Sequence, residues 1–208
     1  MSLSKQIYKV LFTPLVLTAV GAVICALLIY NSQNQMQKST DIFMQKKQYL
    51  EQLYTNLGYG GGIHSFKNYI IRRDLQYKVT AEEKLNEALR ASGNYKALPK
   101  VSNVELTQIT DIELVINQYL EKIRLLRSEQ LASLSVEELD AQVKVNDEPA
   151  ISAIARLDNL LDAENRLLVK RWNLQPSEQS VLSLSYCYLL RCYHGLLRSV
   201  TLLKCCCR

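Results

Sequence analysis

From Val10 to Tyr30 the chain carries 21 consecutive residues without a charge, VLFTPLVLTAVGAVICALLIY. About 20 predominantly apolar residues are enough for a helix to cross a bilayer. Lys5 and Lys9 stand just before the run, and the first acid of the chain is Asp41. The positive-inside bias then keeps the short N-terminus in the cytoplasm and exports the residues beyond the run. A cleaved secretory signal fits less well, because its apolar region runs about 7–15 residues and ends in small side chains. This run is longer and ends in Leu27, Leu28, Ile29 and Tyr30. Ile24 is also too bulky for the residue that usually precedes a lipidated cysteine such as Cys25. The expectation is an uncleaved membrane anchor.

Net charge +5 first suggests a nucleic-acid partner. Its location argues otherwise. All 20 acids lie between Asp41 and Glu178, where they nearly balance the lysines and arginines. The excess sits at the ends, on Lys5 and Lys9 and then on Arg191, Arg198, Lys204 and Arg208. Nucleic-acid binding needs a basic stripe on the folded part, so the expected partners exclude nucleic acid. Basic ends around a neutral middle suggest a chain that leaves and returns to the inner membrane surface. The returning stretch, Val181 to Leu203, is interrupted by Arg191, His194 and Arg198. A charge at the bilayer centre costs about 2.5–3.5 kcal/mol. Leu182, Tyr186, Leu189, Tyr193, Leu196, Val200 and Leu203 instead share one helical face, as an interfacial helix would, with Trp172 as a headgroup-level anchor. Five of six cysteines fall in this tail, which also reads as a disrupted, non-native stretch or as an acylation site at Cys205, Cys206 and Cys207. No cysteine lies between Asn31 and Tyr186, so disulfides and zinc-thiolate sites are not expected there.

The exported region reads as helix. Met36, Phe43, Leu50 and Leu57 recur every seven residues with Leu53 between them, so the membrane helix continues as an amphipathic rod. Gly58, Gly60, Gly61 and Gly62 stop it. A second helix is expected from about Ile63 to Ala91, closed by Gly93-Asn94 and a loop with Pro99. Ile109, Ile112, Ile116, Tyr119, Ile123 and Leu126 step by three and four, marking a third. Ser135 and Glu138 form a capping-box pattern for a short helix to Val143. Pro149 opens the last, with Ile151, Ile154, Leu157, Leu161 and Leu168 as its apolar face. The fold class is therefore all-α, a membrane-anchored, antiparallel four-helix-bundle-like region with long helices. The expected organisation is a cytoplasmic segment 1–9, a membrane helix 10–30, a helical domain 31–178 and an atypical basic, cysteine-rich tail 179–208.

One stretch is chemically unlike the rest: Leu57-Gly-Tyr59-Gly60-Gly61-Gly-Ile-His64-Ser-Phe-Lys67-Asn68-Tyr-Ile-Ile-Arg72-Arg73-Asp74. Four glycines in five positions lead into a helix start, an arrangement that lets backbone N–H groups converge on an anion. His64, Lys67, Asn68 and Arg72 can project to one side and together suit an oxyanion. Tyr59, Gly60, Gly61, His64, Lys67, Asn68 and Arg72 are thus the candidate binding residues. The competing reading is a structural corner in which the glycines turn the chain, the cations are solvated and His64 is a core histidine near Ile71 and Leu75. A lone histidine is weak support for metal or haem, and no cofactor is expected. Asp147 or Glu148 at a helix start is ordinarily a cap, with ligand or partner contact as the rarer role.

The segment GYGGGIHSFKNYIIRRD, with NDEPAISAIARL downstream, resembles the exported helical sensory region of some bacterial transmembrane signalling proteins. Similar stretches precede the output modules of methyl-accepting chemotaxis receptors and GGDEF-type diguanylate cyclases. The resemblance covers Met1 to Pro176. It implies a dimeric periplasmic helical sensor flanked by two membrane helices and carries over no ligand; the partners expected for this chain in the bacterial inner membrane are a small solute, anions among them, membrane lipid and a second copy in a homodimer. The chain departs from those families in lacking a clean second span, a GGDEF-like segment and methylation or kinase-docking helices, so it reads as an input region truncated before its output module. A membrane-tethered scaffold for a protein partner is the alternative. An enzyme is not expected: no nucleophile-elbow serine occurs, and GYGGG lacks the preceding strand a dinucleotide loop needs.

Overall fold

A computed structural model of the chain describes residues 3–58, 60–126 and 133–174. Six helices run through them: α1 Leu3–Leu57, α2 Gly62–Arg72, α3 Leu75–Lys96, α4 Asn103–Leu125, α5 Val136–Val143 and α6 over residues 148–174. No strand occurs among the described residues. Thr40–Arg166 forms one compact unit, and the described residues on either side of it belong to another.

In the N-terminal part of α1, one helix is long and apolar enough to cross a membrane, with mean hydropathy 1.7 over an 18-residue window that buries nothing. Leu17, Val20, Val23, Leu27 and Leu28 all stay exposed.

Within Thr40–Arg166, the heptad seam of α1 does what its spacing predicts: Phe43, Leu50, Leu53 and Leu57 are buried. Ile109, Ile112, Ile116 and Ile123 of α4 meet them in the core with Leu85 of α3, Leu139 of α5 and Leu157 of α6. Each such side chain contributes roughly 1.5–3 kcal/mol when fully buried. Helix directions are set by long-range pairs. Lys46 of α1 reaches Glu164, while Tyr54 and Ile154 lie together further along, so α1 and α6 are antiparallel. Ser92 and Lys96 of α3 bond Glu113, and Tyr95 bonds Glu105, so α3 and α4 are antiparallel. Tyr119 lies near Asp147 while Glu105 and Glu164 share Lys46, so α4 opposes α6. The four long helices therefore alternate up, down, up and down.

Two helix caps carry this path. Ser102 and Glu105 form a capping box at the start of α4, which the periodicity alone did not mark, and Ser135 and Glu138 form the expected one at α5.

One element departs from expectation. The helix anticipated from Ile63 to Ala91 is broken into a hairpin. Arg73 is left-handed (φ 59°) and its N–H closes on the Tyr69 carbonyl, while the Asp74 side chain caps α3 by accepting from the Gln76 N–H at 2.9 Å. The chain reverses so sharply that Gly62 packs on Leu85 and Ala81. No proline or glycine marks this reversal, which is why hydrophobic spacing carries straight through it. The last helix also shifts its face: Ala150, Ala153, Ile154, Leu157 and Leu161 are buried, whereas Ile151 is exposed.

Candidate functional site

The glycine stretch first builds a corner. Gly58 N–H continues the last turn of α1 by donating to the Tyr54 carbonyl, and Gly61 N–H donates to Gly58. Gly60 has φ +83°, a conformation that favours glycine. Gly61 is the N-cap of α2, and a Cβ there would stand 2.5 Å from the Asn56 carbonyl oxygen. At Gly62 a Cβ would meet Leu85 Cγ at 2.6 Å. Backbone crowding at Gly61 and the Leu85 side chain at Gly62 therefore account for these glycines without a ligand. Tyr59 lies outside the described residues.

Beside this corner is a cavity of about 310 Å³. Its walls come from three places: Tyr54, Leu57 and Gly58 at the end of α1, Ile63, His64 and Lys67 on the first turns of α2, and Asp147, Ala150, Ile151 and Ile154 at the start of α6. Most of the lining is apolar, with His64, Lys67 and Asp147 as the polar exceptions. Of the candidate residues, His64 and Lys67 reach the cavity. His64 is half-buried in the wall, and no core stripe joins it to Ile71 and Leu75, which are exposed and lie on different helices. Gly60, Gly61 and Asn68 do not line the cavity. Arg72 is drawn away to the hairpin, where it donates to the Tyr77 hydroxyl at 3.1 Å and stacks 5.4 Å from that ring.

Asp147 stands at the N-cap position of α6, its carbonyl accepting from the Ile151 N–H at 3.0 Å, while the side chain that accepts from the Glu148 N–H, at 3.2 Å, is that of Asn146. The Asp147 carboxylate instead faces the Lys67 ammonium at 3.8 Å and lies near the buried Tyr119 hydroxyl. Burial, and then the Asp147 charge, push the Tyr119 phenol well above its ordinary range, so it remains a donor. Tyr119 in turn packs edge-on against Phe66 of α2, with ring centroids 5.8 Å apart. The carboxylate thus lies near a buried tyrosine and lines the cavity.

A second polar cluster lies deeper in the bundle. Lys46 of α1 bonds Glu105 at 2.8 Å and Glu164 at 3.1 Å. Glu105 also accepts from Tyr95 at 2.7 Å and from the Ser102 N–H at 2.7 Å. Burial would lower the Lys46 pKa, but its hydrogen bonds to Glu105 and Glu164 prevail and raise it. Burial would likewise raise Glu105, and the bonds from Lys46, Ser102 and Tyr95 overcome that and hold it low. Four long helices contribute one group each. Gln108, one turn beyond, is buried with its side-chain oxygen unpartnered among the described residues, and nothing in the structure accounts for it.

Among the described residues no three His, Cys, Asp or Glu side chains converge as a metal site requires. What the cavity can do is hold a small solute: an apolar floor supplies burial, and a few convergent polar groups set orientation. Comparison of the chain with protein-family models, with curated proteins and with solved structures finds no match.

Proposed function

We propose that this chain is the ligand-sensing input region of a bacterial membrane signal-transduction receptor of chemoreceptor or diguanylate-cyclase type. Its N-terminus is cytoplasmic and its bundle periplasmic. The observation that carries the reading is the cavity, because its walls join the end of α1 to the start of α6. α1 is the helix that contains the membrane-compatible segment. A solute bound there touches α1, α2 and α6 together, and favours the helix arrangement that it fits best. Each 1.4 kcal/mol of differential affinity shifts such an equilibrium tenfold. Pairing of two chains through the rods is part of the same proposal.

The test is thermal unfolding of the full chain in lipid nanodiscs against a panel of small solutes. At 100 times its dissociation constant a ligand adds about 2.7 kcal/mol of stability. At least one solute should raise the midpoint, and His64→Ala and Lys67→Ala variants that melt like the parent should lose that response. A panel without a responder, or variants that respond as the parent does, would end this reading.

The alternative, a tethered scaffold, has one observation in its favour. Leu114 and Leu125 lie on the same outer face of α4 and are both exposed, as a protein-docking helix would leave them. In that case Leu114→Glu should abolish capture of the partner while the cavity variants have no effect.

A further inference from the structure

The geometry points to a small zwitterion with an apolar side chain, an α-amino acid or close analogue, as the solute that this cavity takes. The inference rests on the sensing role proposed above and specifies its ligand. Three features of the site converge on it.

The first is the charge arrangement. Lys67 and Asp147 are the opposed charges of the cavity wall, with the ammonium nitrogen 3.8 Å from a carboxylate oxygen. That distance exceeds the roughly 2.7–2.9 Å of a charge-assisted hydrogen bond, so the two groups face each other without closing. A simple anion offered to Lys67 would meet the Asp147 carboxylate beside it. A simple cation offered to Asp147 would meet Lys67. A solute with adjacent carboxylate and ammonium groups satisfies each wall charge with its opposite.

The second is what that exchange costs. The Lys67 side chain is 59% exposed and Asp147 27% exposed, and ion pairs so open to water are worth little. Parting them loses almost nothing, while two shorter contacts form in their place.

The third is the remainder of the lining. Leu57, Ile63 and Ile154 offer an aliphatic wall to whatever hangs from the zwitterionic head. The cavity of about 310 Å³ is at the small end of ligand pockets, which run roughly 300–1,000 Å³. A branched aliphatic side chain of amino-acid size fits that wall better than a large polar solute.

The experiment is titration calorimetry of the full chain in nanodiscs with three isosteric probes. L-leucine carries both charges, 4-methylpentanoate only the carboxylate, and 3-methylbutylamine only the ammonium. L-leucine should bind, and each singly charged probe should bind at least roughly tenfold more weakly, as expected for loss of one charge-assisted contact. Asp147→Asn and Lys67→Gln should each weaken L-leucine by a similar factor. Asp147→Asn should also improve 4-methylpentanoate, a gain that simple unfolding cannot produce. Equal binding of 4-methylpentanoate or of 3-methylbutylamine by the parent overturns the zwitterion inference and leaves an anion or cation sensor. If none of the three binds while another panel solute responds through Lys67, the zwitterion inference falls and the sensing role stands. If no solute binds at all, both fall.

Discussion

Lys46 is 2% exposed in the middle of a hydrophobic seam, a position where an unpaired ammonium would be very costly. Glu105 and Glu164 neutralise it, and Tyr95 and Ser102 saturate Glu105. Removing one member of a buried ionic cluster strands the others, typically at about 3–5 kcal/mol. Lys46→Ala should therefore lower the unfolding free energy by that order, and Lys46→Met combined with Glu105→Gln by much less. A loss under about 1 kcal/mol in Lys46→Ala would show that the cluster contributes little. The pH dependence has a definite sign. Glu105 is held below its ordinary 4.5, so its contribution is intact above that pH and disappears as the pH falls through its lowered value. Lys46 is raised above 10.5, so its contribution is intact below that pH and disappears only as alkali passes its raised value. Chemical unfolding measured from pH 7 down to pH 3 should show a steeper acid loss in the parent than in the Lys46→Met/Glu105→Gln variant.

Among the elements, the α2–α3 hairpin decides where the candidate site residues go. Lys67 and Arg72 lie five residues apart on α2, about 140° around it, and so face different sides. The reversal sends Arg72 to Tyr77 and leaves His64 and Lys67 at the cavity. Gly62 makes the fold-back possible, since an added Cβ would lie 2.6 Å from Leu85 Cγ. Gly93, inside α3, has nothing within 4 Å of its would-be Cβ. Gly62→Ala should thus cost about 1–3 kcal/mol through overpacking. Gly93→Ala should gain about 0.5–1 kcal/mol from helix propensity. Thermal midpoints moving in the same direction would mean that the hairpin does not pack as described. The reversal was partly legible: Asp74 after two arginines is a good N-cap after a basic last turn. Its competitor, an unbroken run of helix-compatible residues, carried no stop signal of equal strength.

For the whole molecule, the apolar N-terminal segment and the bundle place their apolar side chains in opposite ways. The segment keeps Leu17, Val20 and Val23 outward, whereas Thr40–Arg166 turns its leucines and isoleucines inward around a polar knot. Alkaline carbonate washing should leave the parent in the membrane pellet. Leu17→Arg combined with Val20→Arg should move much of it to the supernatant, since each central arginine costs about 2.5–3.5 kcal/mol. Protease added to intact spheroplasts should cut the bundle; protection until lysis would place it on the cytoplasmic face.

Most of the helices, the cap at Ser135, the helix start beside Pro149, the apolar stretch and the four-helix class were readable from residue order, because spacing and caps act over a few residues. The seam spacing even held a clue that apolar periodicity passes over: Lys46, Glu105 and Glu164 each sit three or four residues from buried seam positions. Their mutual pairing was not readable, for they are separated by 59 residues or more in the chain, and only packing brings them together. The same holds for Lys67 and Asp147, 80 positions apart, and for the Tyr119 hydroxyl near the latter. Local sequence set which faces would be buried. The folded chain alone chose which charges would meet, because a charge takes its partner from whatever the packing places beside it.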